Sequence, residues 1–281
     1  MVKVVDGRKI AREIREEIKR KIEEFTQRGY RPPAIANIWF KGSEESELFL
    51  RLKEKACREV GIKSVGICFS NNVSGEEIIE KIRELNKDKE IDGISIQAPL
   101  PKRISMDIFC KVHPKKDVEG LHPANMGKLF AGEEKIIPCT PQAVITILDK
   151  EGVNLKGKHA VVVNHSMFVG KPLSILLLNR NATVSVCHVF TKNITEFTRK
   201  ADVLVVAAGR PSLVGKEHVK DGVVVIDVGI SKEKERVVGD VIFEEVKKKA
   251  KIITPVPGGV GPVTIACTLK NLLKLYSEGI E

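Results

Sequence analysis

The sequence lacks the features that mark several classes of protein. No apolar run is long enough to cross a bilayer, and the first ten residues, MVKVVDGRKI, contain no apolar core of a signal peptide. The six cysteines include no CxxC pair, which is typical of buried thiols in a reducing compartment and argues against a zinc site. We therefore expect a cytoplasmic protein that binds no membrane and no metal.

Tyrosine and tryptophan are scarce, with two and one residues among 281, and this scarcity bears on the excess of positive charge. The net charge of +10 makes nucleic acid a natural partner to consider. The basic residues, however, are interleaved with glutamates, as in REIREEIKRKIEE, and no basic-aromatic stripe is available for stacking on bases. We therefore expect no nucleic-acid partner, and an anionic small substrate or cofactor instead.

The first half of the chain alternates between helical and strand patterns. Apolar residues spaced three and four apart predict helices over 6–28, 43–60 and 74–88, the last with a capping box of Ser74 and Glu77. The segments between and after them, PAIANIWF, KSVGICF and DGISIQAPLP, predict strands. This order predicts a parallel sheet with crossover helices, followed by loop-rich sequence at 114–132.

A second α/β series follows a helix predicted at 141–150. Its strands are HAVVV, TVSVC, DVLVVAAG and GVVVIDVG, and a helix begins at Val169. We predict an α/β fold with parallel sheets in two domains, an N-terminal α/β domain over 1–139 and a Rossmann-type dinucleotide-binding domain over 140–261. The last helix, 262–281, is expected to return to the first domain.

The segment TPVPGGVGPVT, residues 254–264, concentrates three glycines and three prolines between a strand pattern and the last helix. Glycine allows the backbone to approach a flat ligand closely, and proline makes the backbone rigid. An ordinary turn is the alternative, but turns seldom need so many special residues in a row. The segment therefore predicts a rigid wall of a binding site.

The ends of the second-domain strands carry a weak nucleotide signal. Where a Rossmann fingerprint would place GxGxxG, the chain has Asn164, Ser166 and Gly170; asparagine tolerates positive φ, so the tight turn can survive, and the start of the following helix can receive phosphate. No acid follows TVSVC to hold a ribose hydroxyl, which argues against NAD. His165, His188 and Lys192 offer positive charge to a 2′-phosphate, although plain surface residues would look the same.

In the first domain, three side chains can share one cleft. Phe49 and Lys53 are one helical turn apart, and Gln97 ends the third strand. A lysine, an amide and an aromatic ring suit a planar substrate and proton transfer, although a lone helix lysine is more often solvated. Asp117 and Glu119, in KDVEG, are expected as turn formers when considered alone.

These segments, in this order, resemble the bifunctional methylenetetrahydrofolate dehydrogenase/methenyltetrahydrofolate cyclohydrolases, and the resemblance covers essentially the whole chain. The matching landmarks are DGRKIA, KEKAC with EVGI, DGISIQAPLP, KDVEGLHPANMGKL, PCTPQAV, VGKPL, ATVSVCH, VVIDVGI, VGDV and TPVPGGVGPVT.

The resemblance implies a homodimer of two-domain subunits, with folate in a cleft and NADP, in preference to NAD, on the second domain. It implies oxidation of 5,10-methylenetetrahydrofolate to the methenyl cation and hydrolysis to 10-formyltetrahydrofolate. Lys53 would assist proton transfer, Gln97 would orient it, and Glu119 would bind the pterin. The implied substrate-contacting positions are Phe49, Lys53, Ile96, Gln97, Ala98, Glu119, Pro257, Gly258, Gly259, Val260 and Gly261, and those for the cofactor are Asn164, His165, Ser166, Gly170, Lys171, His188, Val189 and Ile230.

The departures from the family pattern cluster in the site. Phe49 stands where the family usually has tyrosine, Glu119 where aspartate is commoner, and Val189 where serine is common. Asn164 and His165 replace a usual Gly-Arg, so an always-charged phosphate clamp is lost. Two alternatives therefore stand beside the bifunctional enzyme: a dehydrogenase with weakened ring opening, and a non-catalytic folate- or nucleotide-binding relative.

Overall fold

The structure, a computed structural model, describes residues 2–42, 44–233 and 236–280. The chain forms two compact units. The three-stranded unit holds residues 12–139 and the C-terminal residues from Ile265; the six-stranded unit holds the N-terminal residues up to Ala11 and Thr140–Thr264. Among the described residues, no helix combines the length and the apolar character needed to cross a membrane.

Helices and strands follow one another closely along the chain. The helices are α1 (Gly7–Gln27), α2 (Glu44–Val60), α3 (Gly75–Lys87), α4 (Pro123–Phe130), α5 (Cys139–Lys150), α6 (Gly170–Asn179), α7 (Thr195–Thr198), α8 (Phe243–Val246) and α9 (Val260–Ile280). The strands are β1 (Lys3–Val4), β2 (Ala34–Phe40), β3 (Lys63–Phe69), β4 (Gly93–Ile96), β5 (His159–Val163), β6 (Thr183–Cys187), β7 (Val203–Val206), β8 (Val224–Asp227), β9 (Ser231–Glu233), β10 (Arg236–Val238) and β11 (Ile252–Ile253).

The three-stranded unit contains a parallel sheet in the order β3-β2-β4. The central strand β2 is apolar and buried, as a parallel strand covered on both faces must be. Its register pairs Ile38 with both Ile67 and Ile96, so β3 and β4 end near one another at the carboxyl edge. The predicted β-α-β-α-β series is therefore confirmed, and Ser74 and Glu77 form the predicted capping box.

The six-stranded unit contains a parallel sheet in the order β1-β11-β8-β7-β5-β6. A doubly wound sheet of this type reverses its order between β5 and β7, and ligands bind outside the strand ends at such a reversal. The core is built from valine-rich strands, including Val161, Val206 and Val225. The predicted α/β fold with parallel sheets is thus confirmed in both units.

Several local features differ from the sequence expectations. The chain begins with β1, which pairs Lys3 with Ile252, so residues up to Ala11 lie with the six-stranded unit and not with the first domain. The loop-rich stretch 114–132 contains the helix α4, whose first position is a proline. The last helix begins at Val260, inside the predicted loop. Ser43, the predicted start of α2, lies outside the described residues.

Two buried carboxylates fasten the ends of β7 and β8. Asp227 ends β8 and accepts the backbone N–H groups of Gly229 at 3.0 Å, Asp240 at 3.1 Å and Val241 at 3.0 Å. Asp240 in turn accepts three successive N–H groups from residues 208–210, after β7. Despite these donors, burial raises the pKa of Asp227 to about 7, and burial also raises the pKa of Asp240.

Asp227 should make the free energy of unfolding depend on pH. Its pKa is about 7 in the folded state against an ordinary 3.8, so the folded protein binds this proton more tightly. The contribution of this group to stability is therefore fully present below about pH 4 and falls as the pH rises towards 7, by on the order of 2–4 kcal/mol. Asp227→Asn removes the titration, and urea unfolding at pH 5 and pH 7.5 should show a flatter dependence. Asp221→Asn, at an exposed turn, is the control, and equal slopes for Asp227→Asn and wild type would contradict the assignment.

Candidate active site

Lys53 is the most unusual charged residue of the three-stranded unit, because it is only 1% exposed. It lies on α2 one turn after Phe49, and its Nζ atom is 5.7 Å from the centre of the Phe49 ring. Residues four apart share a helix face, so the pairing follows from the sequence spacing. The reading of Lys53 as a solvated helix lysine is therefore wrong.

The buried ammonium of Lys53 has two hydrogen-bond partners among the described residues. Its Nζ atom donates to the Ser95 hydroxyl at 2.7 Å and to Oε1 of Glu119 at 3.4 Å. The Ser95 hydroxyl donates to the same Oε1 atom at 2.5 Å. A buried charge persists only when paired and hydrogen-bonded, and this cluster meets both conditions.

Glu119 is presented to Lys53 by a turn that Asp117 holds. Asp117 is buried and accepts the N–H groups of Leu121 at 3.2 Å and His122 at 2.8 Å, and the Asn125 amide at 2.8 Å. Burial raises the pKa of Asp117. Asp117 is thus a turn former, as expected of its position, whereas Glu119 turns back into the cluster with Lys53 and Ser95.

Gln97 lies two residues after Ser95, and its side chain bonds outside the cluster. It follows Ile96, the last residue of β4, and its side-chain Nε2 atom donates to the carbonyl of Ala98 at 3.1 Å. In the part of the chain that the structure describes, the partners of Lys53 are Ser95 and Glu119, and Gln97 is not among them. An orienting role for Gln97 towards Lys53 stays a prediction.

Ser95 is the residue that sequence reasoning missed. It is fully buried within the short strand GISI, where every other side chain is apolar or absent. The available signal was this lone hydroxyl two positions before Gln97, since alternate residues of a strand share a face. A strand serine is common enough that the pattern alone does not connect it with Lys53.

In the six-stranded unit, the side chain of Asn164 organises the segment after β5. Its Nδ2 atom donates to the carbonyl of Ala207 at 2.6 Å, across the sheet reversal at the end of β7. Its Oδ1 atom accepts the N–H groups of Ser166 at 2.7 Å and Gly170 at 2.9 Å. The turn does not use the tolerance of asparagine for positive φ, because among the described residues other than glycine only Asn181, Asn193 and Ser212 have positive φ.

The hydrogen bonds of Asn164 hold the backbone close to the first residues of α6. A Cβ atom at Gly170 would lie 2.1 Å from the carbonyl oxygen of Asn164, so only glycine fits. The N–H of Lys171 is used as well, by the carbonyl of Ser166 at 3.0 Å. A phosphate near this helix would therefore meet side chains more readily than free backbone donors.

Two histidines meet at the carboxyl ends of β5 and β6. The ring centres of His165 and His188 are 4.7 Å apart. The Nδ1 atom of His188 accepts the N–H of Phe190 at 3.3 Å, so a neutral His188 carries its proton on Nε2. The next residue, Val189, is 84% exposed. The strand end thus offers hydrogen-bond donors and an exposed apolar side chain, and the residues directly after it, 188–195, include no carboxylate.

The glycine-rich loop is shaped by close backbone contacts. Gly258 has a φ of +105°, which favours glycine. A Cβ atom at Gly7 would lie 1.8 Å from the carbonyl oxygen of Gly259, so α1 begins directly against the loop. Ile230 is 53% exposed, and its Cδ1 atom is 3.9 Å from where a Cβ of Gly261 would stand. Ile230 therefore lies against Gly261; Pro257 in the same loop is exposed, whereas Gly259 and Val260 are buried.

Comparison with known proteins gives the same family along the whole chain. Residues 5–119 match the tetrahydrofolate dehydrogenase/cyclohydrolase catalytic domain, and residues 138–279 match the NAD(P)-binding domain of that family. A protein of Aquifex aeolicus named "Bifunctional protein FolD" is 48% identical over 280 residues, which are 99% of this chain and 96% of the relative.

Solved structures agree with these sequence matches. The bifunctional FolD methylenetetrahydrofolate dehydrogenase/cyclohydrolase of Campylobacter jejuni is 41% identical with a TM-score of 0.96, over 99% of this chain and 100% of that one. The Trypanosoma brucei enzyme, complexed with NADP and an inhibitor, is 36% identical with a TM-score of 0.96, over 100% and 99% of the two chains. The chain described here therefore belongs to the tetrahydrofolate dehydrogenase/cyclohydrolase family.

Proposed function

We propose that this chain is a bifunctional enzyme of one-carbon metabolism. It oxidises 5,10-methylenetetrahydrofolate to 5,10-methenyltetrahydrofolate with NADP, and hydrolyses that product to 10-formyltetrahydrofolate. The observation that carries the proposal is the buried cluster of Lys53, Ser95 and Glu119. The names of the relatives from Aquifex aeolicus and Campylobacter jejuni support both activities.

The cluster can supply the proton transfers that ring opening requires. Water adds to the bridge carbon of the methenyl cation and gives up both of its protons as the formyl C=O forms; one proton is released, and the other ends on the ring nitrogen whose bond to that carbon breaks. We assign this proton relay to the Nζ atom of the buried Lys53, which accepts a proton as the neutral amine and donates one as the ammonium. Glu119 faces the pterin, whose N–H groups a carboxylate can accept, while Phe49 packs against its ring.

The residues of the six-stranded unit fit NADP. NADP accepts the hydride when it is bound. We assign the nicotinamide to the surface of Ile230 and the glycine-rich loop, which is free of large side chains at Gly258, Gly259 and Gly261. We assign the adenosine end with its 2′-phosphate to a polar group at the ends of β5 and β6, formed by His165, Ser166, Lys171 and His188.

Three further points stay predictions. These are assembly as a homodimer, location in the cytoplasm, and contact of the folate with Pro257, Gly258, Gly259, Val260 and Gly261. The named relatives support the folate and cofactor assignments, and the roles of individual residues rest on geometry and resemblance.

Lys53→Met should abolish most of the hydrolysis of methenyltetrahydrofolate, by about a hundredfold or more, because general acid–base groups contribute that much. The decay of methenyl absorbance measures this rate directly, without the cofactor. Lys55→Met, an exposed lysine on the same helix, is the control and should hydrolyse at the wild-type rate. A wild-type rate in Lys53→Met would remove Lys53 from the chemistry.

Phe49→Tyr should raise the rate of ring opening, because the phenol restores a hydroxyl near Lys53 that can order the attacking water. A hydrogen bond of this kind is worth about 1 kcal/mol, which corresponds to roughly a fivefold change in rate. Hydride transfer should change less, and Phe130→Tyr, on an exposed side chain, should change neither. If ring opening does not respond, the view that Phe49 weakens the cyclohydrolase is contradicted.

NADP should give a higher kcat/KM than NAD, since no carboxylate follows β6 to bind the ribose hydroxyl or to repel a 2′-phosphate. Val189→Asp places a carboxylate there and should lower kcat/KM for NADP by at least about tenfold, through repulsion between like charges. Val189→Asn is the control for size. Comparable values for the two cofactors in the wild type would overturn the assignment.

A further inference from the structure

Ser95 is placed between the two charged side chains of the site. Its hydroxyl accepts from Lys53 Nζ at 2.7 Å and donates to Glu119 Oε1 at 2.5 Å, so both roles of the hydroxyl are used. The direct distance from Lys53 Nζ to the same Oε1 atom is 3.4 Å. The hydroxyl is thus the closest partner of each charge.

The backbone fixes the position of this hydroxyl. Ser95 pairs with Asn37 of the central strand β2, and Asn37 is tied to Ser64 of β3 by a hydrogen bond of 3.0 Å. Ser95 is 1% exposed on β4, whose four residues are all buried, and a short side chain there has little freedom to move. Lys53 and Glu119 have long side chains, and a hydrogen bond to Ser95 restricts the position of each.

Lys53 and Ser95 both bond to one carboxylate oxygen of Glu119, Oε1, and neither bonds to the other, Oε2. Both Lys53 and Ser95 contact Oε1, and within the described part of the chain Oε2 has no hydrogen-bond partner. The Glu119 side chain is 19% exposed, in contrast to the fully buried Lys53. Oε2 is therefore the oxygen that remains for the N–H donors of a ligand.

We propose that Ser95 is a positioning residue that fixes Glu119 through Oε1, presents Oε2 to the pterin, and sets the place of Lys53 Nζ. The inference rests on the proposed folate activity. Without the hydroxyl, ammonium and carboxylate are free to close to the 2.7–2.9 Å of a direct charge-assisted hydrogen bond. Such closure would draw both groups away from the substrate.

The test compares Ser95→Ala, Ser95→Thr and the control Ser277→Ala, which removes a hydroxyl that donates to the carbonyl of Lys274 within α9. We measure the Kd of 5-formyltetrahydrofolate, the KM and kcat of ring opening, and their dependence on pH. Ser95→Ala should weaken binding and raise KM by about ten- to hundredfold, because the closed Lys53–Glu119 pair no longer presents Oε2 to the ligand. Ser95→Thr should recover most of this loss, and Ser277→Ala should match the wild type.

A double variant separates positioning from general damage. Glu119→Ala should weaken binding, and Ser95→Ala should add little to that loss if Ser95 acts through Glu119, because coupled residues are not additive. If Ser95→Ala does not fold, Ser95→Cys replaces it, since a thiol is a poor donor of similar size.

The outcomes distinguish this inference from the proposed function. A wild type that neither binds 5-formyltetrahydrofolate nor hydrolyses the methenyl compound overturns both. An active wild type whose Kd, KM and pH profile are unchanged in Ser95→Ala, or losses that simply add in the double variant, overturn only the role of Ser95. Failure of Ser95→Thr to recover binding, with Ser95→Ala impaired, reduces Ser95 to a packing role and also overturns it.

Discussion

The burial of the Lys53 ammonium is the constraint on which the three-stranded unit depends. A charge removed from water costs several kcal/mol unless it is paired and fully hydrogen-bonded. The pairing needs α2 to supply Lys53, β4 to supply Ser95, and the turn at 117–122 to supply Glu119. Elements that are far apart in sequence must therefore be fixed together before this charge can be buried.

Hydrogen bonds from two different parts of the chain hold the turn that contains Glu119. Asp117 gathers the N–H groups that follow Glu119, and on the other side the Asn271 amide of α9 donates to the carbonyls of Val118 at 2.9 Å and Ile137 at 2.8 Å. None of these groups takes part in the chemistry assigned to Lys53. They restrict the position of the carboxylate, and one of them, Asn271, is supplied by the C-terminal helix.

Patterns in the sequence predicted the features that depend on interactions between neighbouring residues. Apolar periodicity gave the strands and helices of both sheets, and the spacing of Phe49 and Lys53 gave their shared helix face. Ser95 was not predicted as a site residue because its role depends on a contact with Lys53, 42 residues away. β1 was not predicted because a strand of two residues shows no periodicity. Its partner Ile252 lies near the other end of the chain. The assigned roles of Gln97, His165 and His188 stay predictions, since they need the ligands.

In the proposed cofactor site of the six-stranded unit, the backbone fixes some positions, whereas the side chains at other positions can vary. The glycine-rich loop is fixed by backbone: a side chain at Gly7 or Gly259 would overlap backbone atoms, and Gly258 needs positive φ. At the other end, Asn164 uses its own side chain to close the loop that precedes α6, so the first donors of that helix are already bonded. Recognition of the 2′-phosphate then falls to exposed side chains such as His165 and to the surface at Val189, which can change without disturbing the sheet. In the proposed cofactor site, a few surface side chains would therefore set cofactor preference, whereas the packing of the backbone would set the place of the nicotinamide.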